Sequence, residues 1–536
     1  MREVLADMPD ERHAAYRAHG LWRETSLADA MAQAAAEHPQ APLHIFAGAG
    51  EQVTSLADVH ARGLALAGAL HRLGVRAGDV VAMQLPDQLD NAVVFQAAAA
   101  LGCTLTPIVH IYGPHELAHI LADSAATLLI TPDRWRSIDF LDRIARLPEL
   151  PALRWRILTT GAPPPGMLAL ADLAGGVAPP CDAGPDAVAL LLYTSGTTAA
   201  PKGVRHTARS LLAELAAQNQ KGLSDGYGLS PWPSGHIAGS LAVLGHALIG
   251  RPMVLLEAWD PVLAAALVER FQVRQMSGTP FHLSGLMTAA AEQGCDIASL
   301  SQFLIGATTV PPALVAASEA AGVRCCRCYG STEMPTISQC SPHDPLEKRL
   351  STDGRLNPGV EVRILDETGV DLPVGSEGEV AARGPERFAG YTDRAHDAVS
   401  FLPGGWFLTG DIGRLDSEGY LAITDRKKDI IIRGGENISS REVEELLLKV
   451  PGVVEAAAIG IEDARLGEKV CAVVRAAEGA QLTILAIAHV FSALGVARQK
   501  TPEALAIVAE FPRTPTGKIQ KAQLRRALAD GAIQLS

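Results

Sequence analysis

Several features are absent from this 536-residue chain, and each absence removes a class of function. No apolar run is long enough to cross a bilayer; the best stretch, 97–111, is short and broken by Thr104, Thr106 and Pro107. Basic residues are the minority, 46 Lys and Arg against 59 Asp and Glu. The net charge of −13 is spread along the chain, which argues against nucleic acid as a partner. Eight cysteines are too few for a disulfide framework in so long a chain. Met1-Arg2-Glu3-Val4 leads into acidic residues and not into an apolar segment, so no signal peptide is expected. A reduced, cytoplasmic protein is the simplest reading. There is no internal repeat and no low-complexity tract beyond Ala-rich helices. What is abundant is apolar side chain, 48% against 20% charged, enough for a large domain and a smaller one.

Along the chain, helical and strand patterns alternate. Residues 1–24 are charged, apart from Tyr16, Leu21 and Trp22. Ser26 is the expected cap of a helix running to His38, and Thr54 or Ser55 that of a second helix ending at Gly74. Strands are expected at 79–85, 127–130 and 156–159, with helices at 91–101 and 138–147 between them. Further βα units follow at 252–257, 261–271, 273–276 and 281–291. Such alternation predicts parallel sheets covered by helices. Strands dominate from 360 to 380, and a small α+β unit follows a break at 425–429. The fold class is therefore α/β: a large N-terminal domain of two α/β subdomains plus a β-rich one, and a small C-terminal α+β domain.

The most informative stretch is Tyr193-Thr194-Ser195-Gly196-Thr197-Thr198-Ala199-Ala200-Pro201-Lys202-Gly203-Val204. A buried strand is expected over 187–192 and a helix over 206–219, so the motif would join strand to helix. Small and hydroxylated residues with one lysine suit a phosphate cradle: close backbone N–H groups, hydroxyl donors and a mobile cation. The spacing is not that of a P-loop. Four further motifs follow: Tyr329-Gly330-Ser331-Thr332-Glu333, Thr409-Gly410-Asp411, Asp425-Arg426-Lys427-Lys428-Asp429 with Gly434-Gly435, and Pro512-Arg513-Thr514-Pro515-Thr516-Gly517-Lys518. Glu333 offers hard carboxylate oxygens of the kind that Mg²⁺ takes. The carboxylate of Asp411 can accept two hydroxyl hydrogen bonds at once.

These motifs, in this order, resemble those of the adenylate-forming superfamily of acyl-CoA synthetases, aryl acid–AMP ligases, luciferases and peptide-synthetase adenylation domains. The chain is similar to cyclohexanecarboxylate–CoA ligases and to aryl acid–AMP ligases in particular. The resemblance implies ATP, Mg²⁺ and CoA as cofactors or co-substrates, and a small carboxylic acid as substrate. It implies that ATP or AMP contacts Thr194, Ser195, Gly196, Thr197, Thr198, Lys202, Gly306, Ala307, Thr308, Tyr329, Gly330, Ser331, Thr332, Asp411 and Arg426. Glu333 would hold the metal; Lys518, Lys202, Thr332, Glu333 and His236 would act in catalysis. His236, Ile237, Gly306 and Gly330 would line the acid pocket, and Gly434 and Gly435 would border the pantetheine of CoA. Lys428 would be the hinge between domains 1–427 and 428–536.

Some residues qualify this picture. Ala199 stands where such loops usually carry Gly, which stiffens the loop. Gly235, where an aromatic is common, leaves space in the acid pocket, and Ile237 makes that side apolar. An apolar cyclic, aromatic or medium-chain acid is expected. The alternative is an aryl acid–AMP ligase serving a separate carrier protein, which the lead-in Tyr16–Trp22 favours. Homodimerisation is left open. Cys325, Cys326 and Cys328 read as buried strand thiols and not as a metal site, and His110, His115 and His119 as packing or surface residues.

Overall fold

The computed structural model describes residues 9–48, 50–173, 175–194, 201–220, 226–308, 310–433, 436–463, 465–494, 498–514 and 517–535. Two of the expected caps form as read. Ser26 Oγ accepts the Asp29 N–H at 3.0 Å and opens the helix Leu27–Glu37, and Ser55 Oγ accepts the Asp58 N–H at 3.2 Å and opens Leu56–Arg72.

Two large sheets share one core. The seven-stranded sheet has Val80–Met83, Thr104–Pro107 and Leu128–Thr131 at its centre, and the Lys202–Thr207 strand at one edge. The nine-stranded sheet carries the parallel run Gly228–Ser230, Met253–Leu256, Gln275–Gly278, Gln302–Ile305 and Cys325–Tyr329. Val81, Met83 and Leu105 of the first sheet and Leu43, Ile45 and Leu255 of the second meet in one apolar cluster, with the helices Leu89–Leu101 and Ile237–Ile249 between them. A helix buried on all sides has little use for a polar stripe. That accounts for the Ala-rich 89–101 segment.

A third, antiparallel sheet contains Glu361–Leu365, Gly378–Arg383, Trp406–Leu415 and Leu421–Arg426. The C-terminal domain is built on Val453–Asp463 and Gly467–Ala476, with Ala504–Ile507 parallel to the latter. The N-terminal lead-in docks as a short helix, Asp10–Ala18; Tyr16, Leu21 and Trp22 are buried, and Trp22 Nε1 donates to the Pro385 carbonyl at 2.9 Å.

One expectation fails. The signature loop does not join strand to helix: Val188–Thr194 turns back through it into the antiparallel strand Lys202–Thr207, with Thr194 opposite Lys202. The helix begins only at Ala208. The apolar spacing of 206–219 runs unbroken across the strand–helix junction, so periodicity alone placed the helix start too early.

Candidate active site

The signature hairpin presents Lys202 at the start of its second strand. The ammonium lies 5.3 Å from the centroid of the Tyr391 ring, and the Tyr391 hydroxyl donates to Glu333 Oε1 at 2.8 Å. Burial first, and then the Glu333 charge and that hydrogen bond, hold the phenol well above its ordinary pKa. The segment around Tyr391 is brought in by backbone bonds to the hairpin: Thr392 N–H to the Gly203 carbonyl at 2.8 Å and Arg205 N–H to the Gly390 carbonyl at 3.1 Å. The same hairpin strand also carries His206, whose Nε2 lies 2.7 Å from the Thr332 carbonyl. Burial pushes His206 down to about 4, so it is neutral and Nε2–H donates. Thr194 ends the first strand, half-buried. Ser195, Gly196, Thr197, Thr198 and Ala199 lie outside the described residues.

The second motif leaves the strand Cys325–Tyr329 as a tight turn. Ser331 N–H donates to the Met334 carbonyl at 2.8 Å, and Ser331 Oγ accepts the Glu333 and Met334 N–H groups at 3.2 and 3.3 Å. Gly330 is needed there, because a Cβ would come within 2.0 Å of the Pro335 carbonyl oxygen. The neighbouring strand Gln302–Ile305 delivers Gly306, Ala307 and Thr308, and Ala307 adopts φ +66°, a left-handed conformation that costs an L-residue about 1 kcal/mol.

Two motifs separated in sequence are cross-strand partners. Asp411 on Trp406–Leu415 stands opposite Arg426 on Leu421–Arg426. Arg426 Nε lies 3.1 Å from Asp411 Oδ1, and the Tyr329 hydroxyl donates to Asp411 Oδ2 at 2.7 Å. Each carboxylate oxygen keeps a second lone pair for an incoming hydroxyl. Behind them Asp353 ties the same parts together. It pairs with buried Arg327 at 2.8 Å and accepts the Ile423 N–H at 2.8 Å, joining the strand before Tyr329 to the strand before Arg426.

Lys518 reaches this site from the C-terminal domain. Its loop is closed by Thr514 N–H to the Lys518 carbonyl and Gly517 N–H to the Thr514 carbonyl, both 2.8 Å, with Gly517 at φ +83°. The ammonium is pushed down to about 8, first by burial and then by Arg426 and Lys428; Asp411 and Glu333 pull the other way. The lysine thus feels the charges of the second, third and fourth motifs together.

Across from it, His236 is the first residue before the helix Ile237–Ile249 and makes no capping bond. Its Nε2 is buried without a hydrogen-bond partner among the described residues. Burial, then Lys518 and His110, push it down to about 4. Ile237 packs against the core shared by the two sheets. Gly235 opens no space for an acid: a Cβ there would sit 2.5 Å from Val109 N, so the 108–109 backbone already fills that gap.

The chain passes from the third sheet to the C-terminal sheet through the 3₁₀ turn Lys427–Asp429. Lys427 Nζ pairs with Glu379 of the large domain at 2.7 Å, and Asp429 pairs with Arg525 of the small one at 3.2 Å. Lys428 stands between these anchors, its pKa lowered by burial and then by Arg426. Asp425, just before, accepts Ser440 Oγ at 3.1 Å from the small domain. Gly434 and Gly435 lie outside the described residues.

Cys325 and Cys326 are fully buried, burial pushing Cys325 up to about 12, and no group of ligands suited to a metal ion occurs among the described residues. His119 Nε2 lies 2.8 Å from the Pro201 carbonyl beside the signature hairpin, while His115 is exposed. His110 is buried, its Nδ1 without a partner among the described residues, and stands edge-on to Trp135 at 4.7 Å. Sequence reasoning missed Tyr391, His206, Asp353 and the anchoring use of Asp425. Only Asp425 had a signal, as the first residue of the 425–429 motif; His206 stands between Arg205 and Thr207 and gives none.

The AMP-binding enzyme family matches residues 31–392, and its C-terminal domain matches residues 442–518. The chain belongs to this family. It is an acid–thiol ligase, of the class that forms an acyl adenylate and then a thioester. A medium-chain fatty-acid–CoA ligase of Escherichia coli (strain K12) is 35% identical, covering 98% of this chain and 94% of its own. A salicyl-AMP ligase/salicyl-S-ArCP synthetase of Mycobacterium tuberculosis is 32% identical over 97% of this chain and 94% of its own. Among solved structures, ATP-bound MatB from Rhodopseudomonas palustris matches with a TM-score of 0.82 at 26% identity, covering 95% of this chain and 99% of its own. The o-succinylbenzoate CoA synthetase of Bacillus subtilis with its acyl-adenylate intermediate matches at 0.80 and 25%, covering 94% and 98%.

Proposed function

We propose that the chain joins an apolar cyclic, aromatic or medium-chain carboxylic acid to CoA, with ATP converted to AMP and pyrophosphate. The observation that carries this reading is the convergence of Lys518 with Arg426, Asp411 and Glu333 on one side and His236 on the other. A carboxylate approaching a triphosphate is repelled, and a cation held between them lowers that barrier. In the first step a carboxylate oxygen attacks the α-phosphorus, and the bond to the β-phosphate oxygen breaks, releasing pyrophosphate. In the second the CoA sulfur attacks the acyl carbon, AMP leaves with the electron pair, and the thiol proton passes to solvent. No protein nucleophile is needed; positioning and charge do the work.

In this reading Asp411 and Arg426 take the ribose, Tyr329 lies on the adenine, and Thr194, Lys202 and Thr332 reach the phosphates, with Ser195–Thr198 and Ser331 beside them. The carboxylate of Glu333 would hold Mg²⁺, which when bound neutralises charge on the departing pyrophosphate. Domains 1–427 and 428–536 turn about Lys428, which its two flanking ion pairs to opposite domains support. Gly434 and Gly435 border the pantetheine.

A second acceptor is favoured by the salicyl-AMP ligase relative: a separate carrier protein. Pyrophosphate release from ATP across a panel of acids, with and without CoA, decides. CoA-dependent turnover yielding a thioester is expected. Pyrophosphate exchange without CoA-dependent turnover would transfer the acceptor role to a carrier protein.

A further inference from the structure

Gln275–Gly278 is an interior strand, flanked by Gly228–Ser230 and Gln302–Ile305. Alternation sends Met276 to one face and Ser277 to the other. Met276 and its neighbours Phe303 and Ile305 are buried in a core covered by the helices Pro261–Phe271 and Pro280–Gln293. Ser277 and its register partner Leu304 are on the opposite face, and both are only half-buried. Interior strand residues that keep exposure near the carboxyl end of a parallel sheet face an open space. Gly306 follows directly on Ile305, and His236 stands at the end of the helix that packs over this face.

Trp232 stands over this space. It is 7% exposed, its Nε1 donates to Ser277 Oγ at 3.0 Å, and its ring lies 6.4 Å from that of His236 and 5.4 Å from that of His282. The indole has little room to swing. Prolines 231 and 233 flank it, and two residues on, Ser234 N–H donates to buried Asp87 at 3.1 Å while Asn91 donates to Ser234 Oγ at 2.8 Å.

We infer that Trp232 sets the length of acid the site accepts. The inference rests on the ligase reading above, with Lys518 beside the carboxylate and His236 lining the acid pocket. The tail then runs over Ser277 and Leu304 and ends against the indole. Acids of one ring, or linear acids of short to medium length, fit; long linear acids are turned away.

The test is kcat/KM for CoA thioester formation over linear saturated acids of increasing length, and over single-ring acids, for the wild type, Trp232→Ala, Trp232→Phe and Ser277→Ala. The wild type should fall off beyond medium length. Trp232→Ala should move the optimum to longer acids, raising the long-to-medium ratio by about tenfold or more, as one methylene in an apolar pocket commands at least that. The change should lie in the acid KM with the ATP KM unmoved, which general loosening of the fold would not produce. Trp232→Phe and Ser277→Ala should shift the profile less and in the same direction, and they carry the test if the alanine variant does not fold. An unchanged length profile in the folded variants overturns the inference and leaves the ligase reading standing. Silence of the wild type with every acid overturns both.

Discussion

Around the residues proposed for the nucleotide, the polar groups hold one another. Tyr329 and Arg426 share Asp411, Tyr391 holds Glu333, and His206 holds Thr332. Around the residues proposed for the acid the opposite is true: His236 Nε2 has no partner among the described residues, and its ring lies 6.4 Å from the indole of Trp232, whose N–H is already spent on Ser277. A network of satisfied bonds is rigid and suits a ligand that never changes. A wall of apolar surface with one waiting nitrogen can be reshaped by single substitutions, and suits a ligand that differs between relatives. Lys518 belongs to neither wall. It arrives on a separate domain, so the chemistry can be switched without rebuilding either side.

The largest effect should come from removing that visitor. Lys518→Ala is expected to slow acyl-adenylate formation by roughly a hundred- to a thousandfold, the scale of losing one preorganised electrostatic group. Thioester formation from supplied acyl adenylate should be spared. Lys428→Pro should do the reverse: a proline fixes φ at the proposed hinge, so adenylation should persist while the thioester step is lost. Single-turnover measurements of each half-reaction check both. Equal loss of the two halves in Lys518→Ala would remove the role given to that lysine.

The same lysine makes a pH prediction. Its pKa is lowered to about 8, so the cation that adenylation needs is present below that value and is lost as pH rises through it. In the free enzyme, kcat/KM for adenylation should therefore fall above about pH 8, and the thioester step from acyl adenylate should show no such limb. His236, held at about 4, stays neutral through the working range and adds no limb near 6.5. A falling limb that survives in Lys518→Ala would assign it elsewhere.

On the nucleotide side, Asp411→Asn should raise the KM for ATP by about tenfold or more, because Arg426 and Tyr329 lose a charged acceptor together. The acid-length profile should not move. A shift in acid preference here would mean that the two walls are coupled, and the contrast between them would fail.

How much of this was legible depends on what each motif is made of. Asp411 and Arg426 could be found because each sits in a compact polar motif, and the structure adds that they are facing residues on neighbouring strands. Tyr391 could not: it reaches Glu333 only because a loop after Gly378–Arg383 pairs with the signature hairpin, a contact with no local pattern. The hairpin itself was misread as a helix start, since Val204 and His206 are buried strand residues followed directly by the apolar face of Ala208–Gln220. Gly235 reads as open space in the sequence because a missing side chain says nothing about what backbone comes to fill the place. The acid wall was the harder half for the same reason, since Trp232 gains meaning only from Ser277 on another strand.

The smallest effect should come from Tyr391→Phe, and it sharpens the contrast most. The substitution keeps the ring beneath Lys202 and removes only the hydroxyl that donates to Glu333. If the nucleotide wall is a network in which each member holds another, the loss should be about one ordinary hydrogen bond, roughly 0.5–1.5 kcal/mol. That corresponds to about two- to tenfold in adenylation kcat/KM. Because Glu333 is the carboxylate assigned to Mg²⁺, part of the loss should be recovered by raising the Mg²⁺ concentration, which repopulates a site whose ligand has become mobile. Lys202, still stacked on the ring, should keep its contribution, so Lys202→Ala in the Tyr391→Phe background should cost nearly what it costs alone. A double-mutant cycle with a large coupling between the two would show instead that the hydroxyl orients the lysine through the ring, and the network would then extend into the phosphate loop.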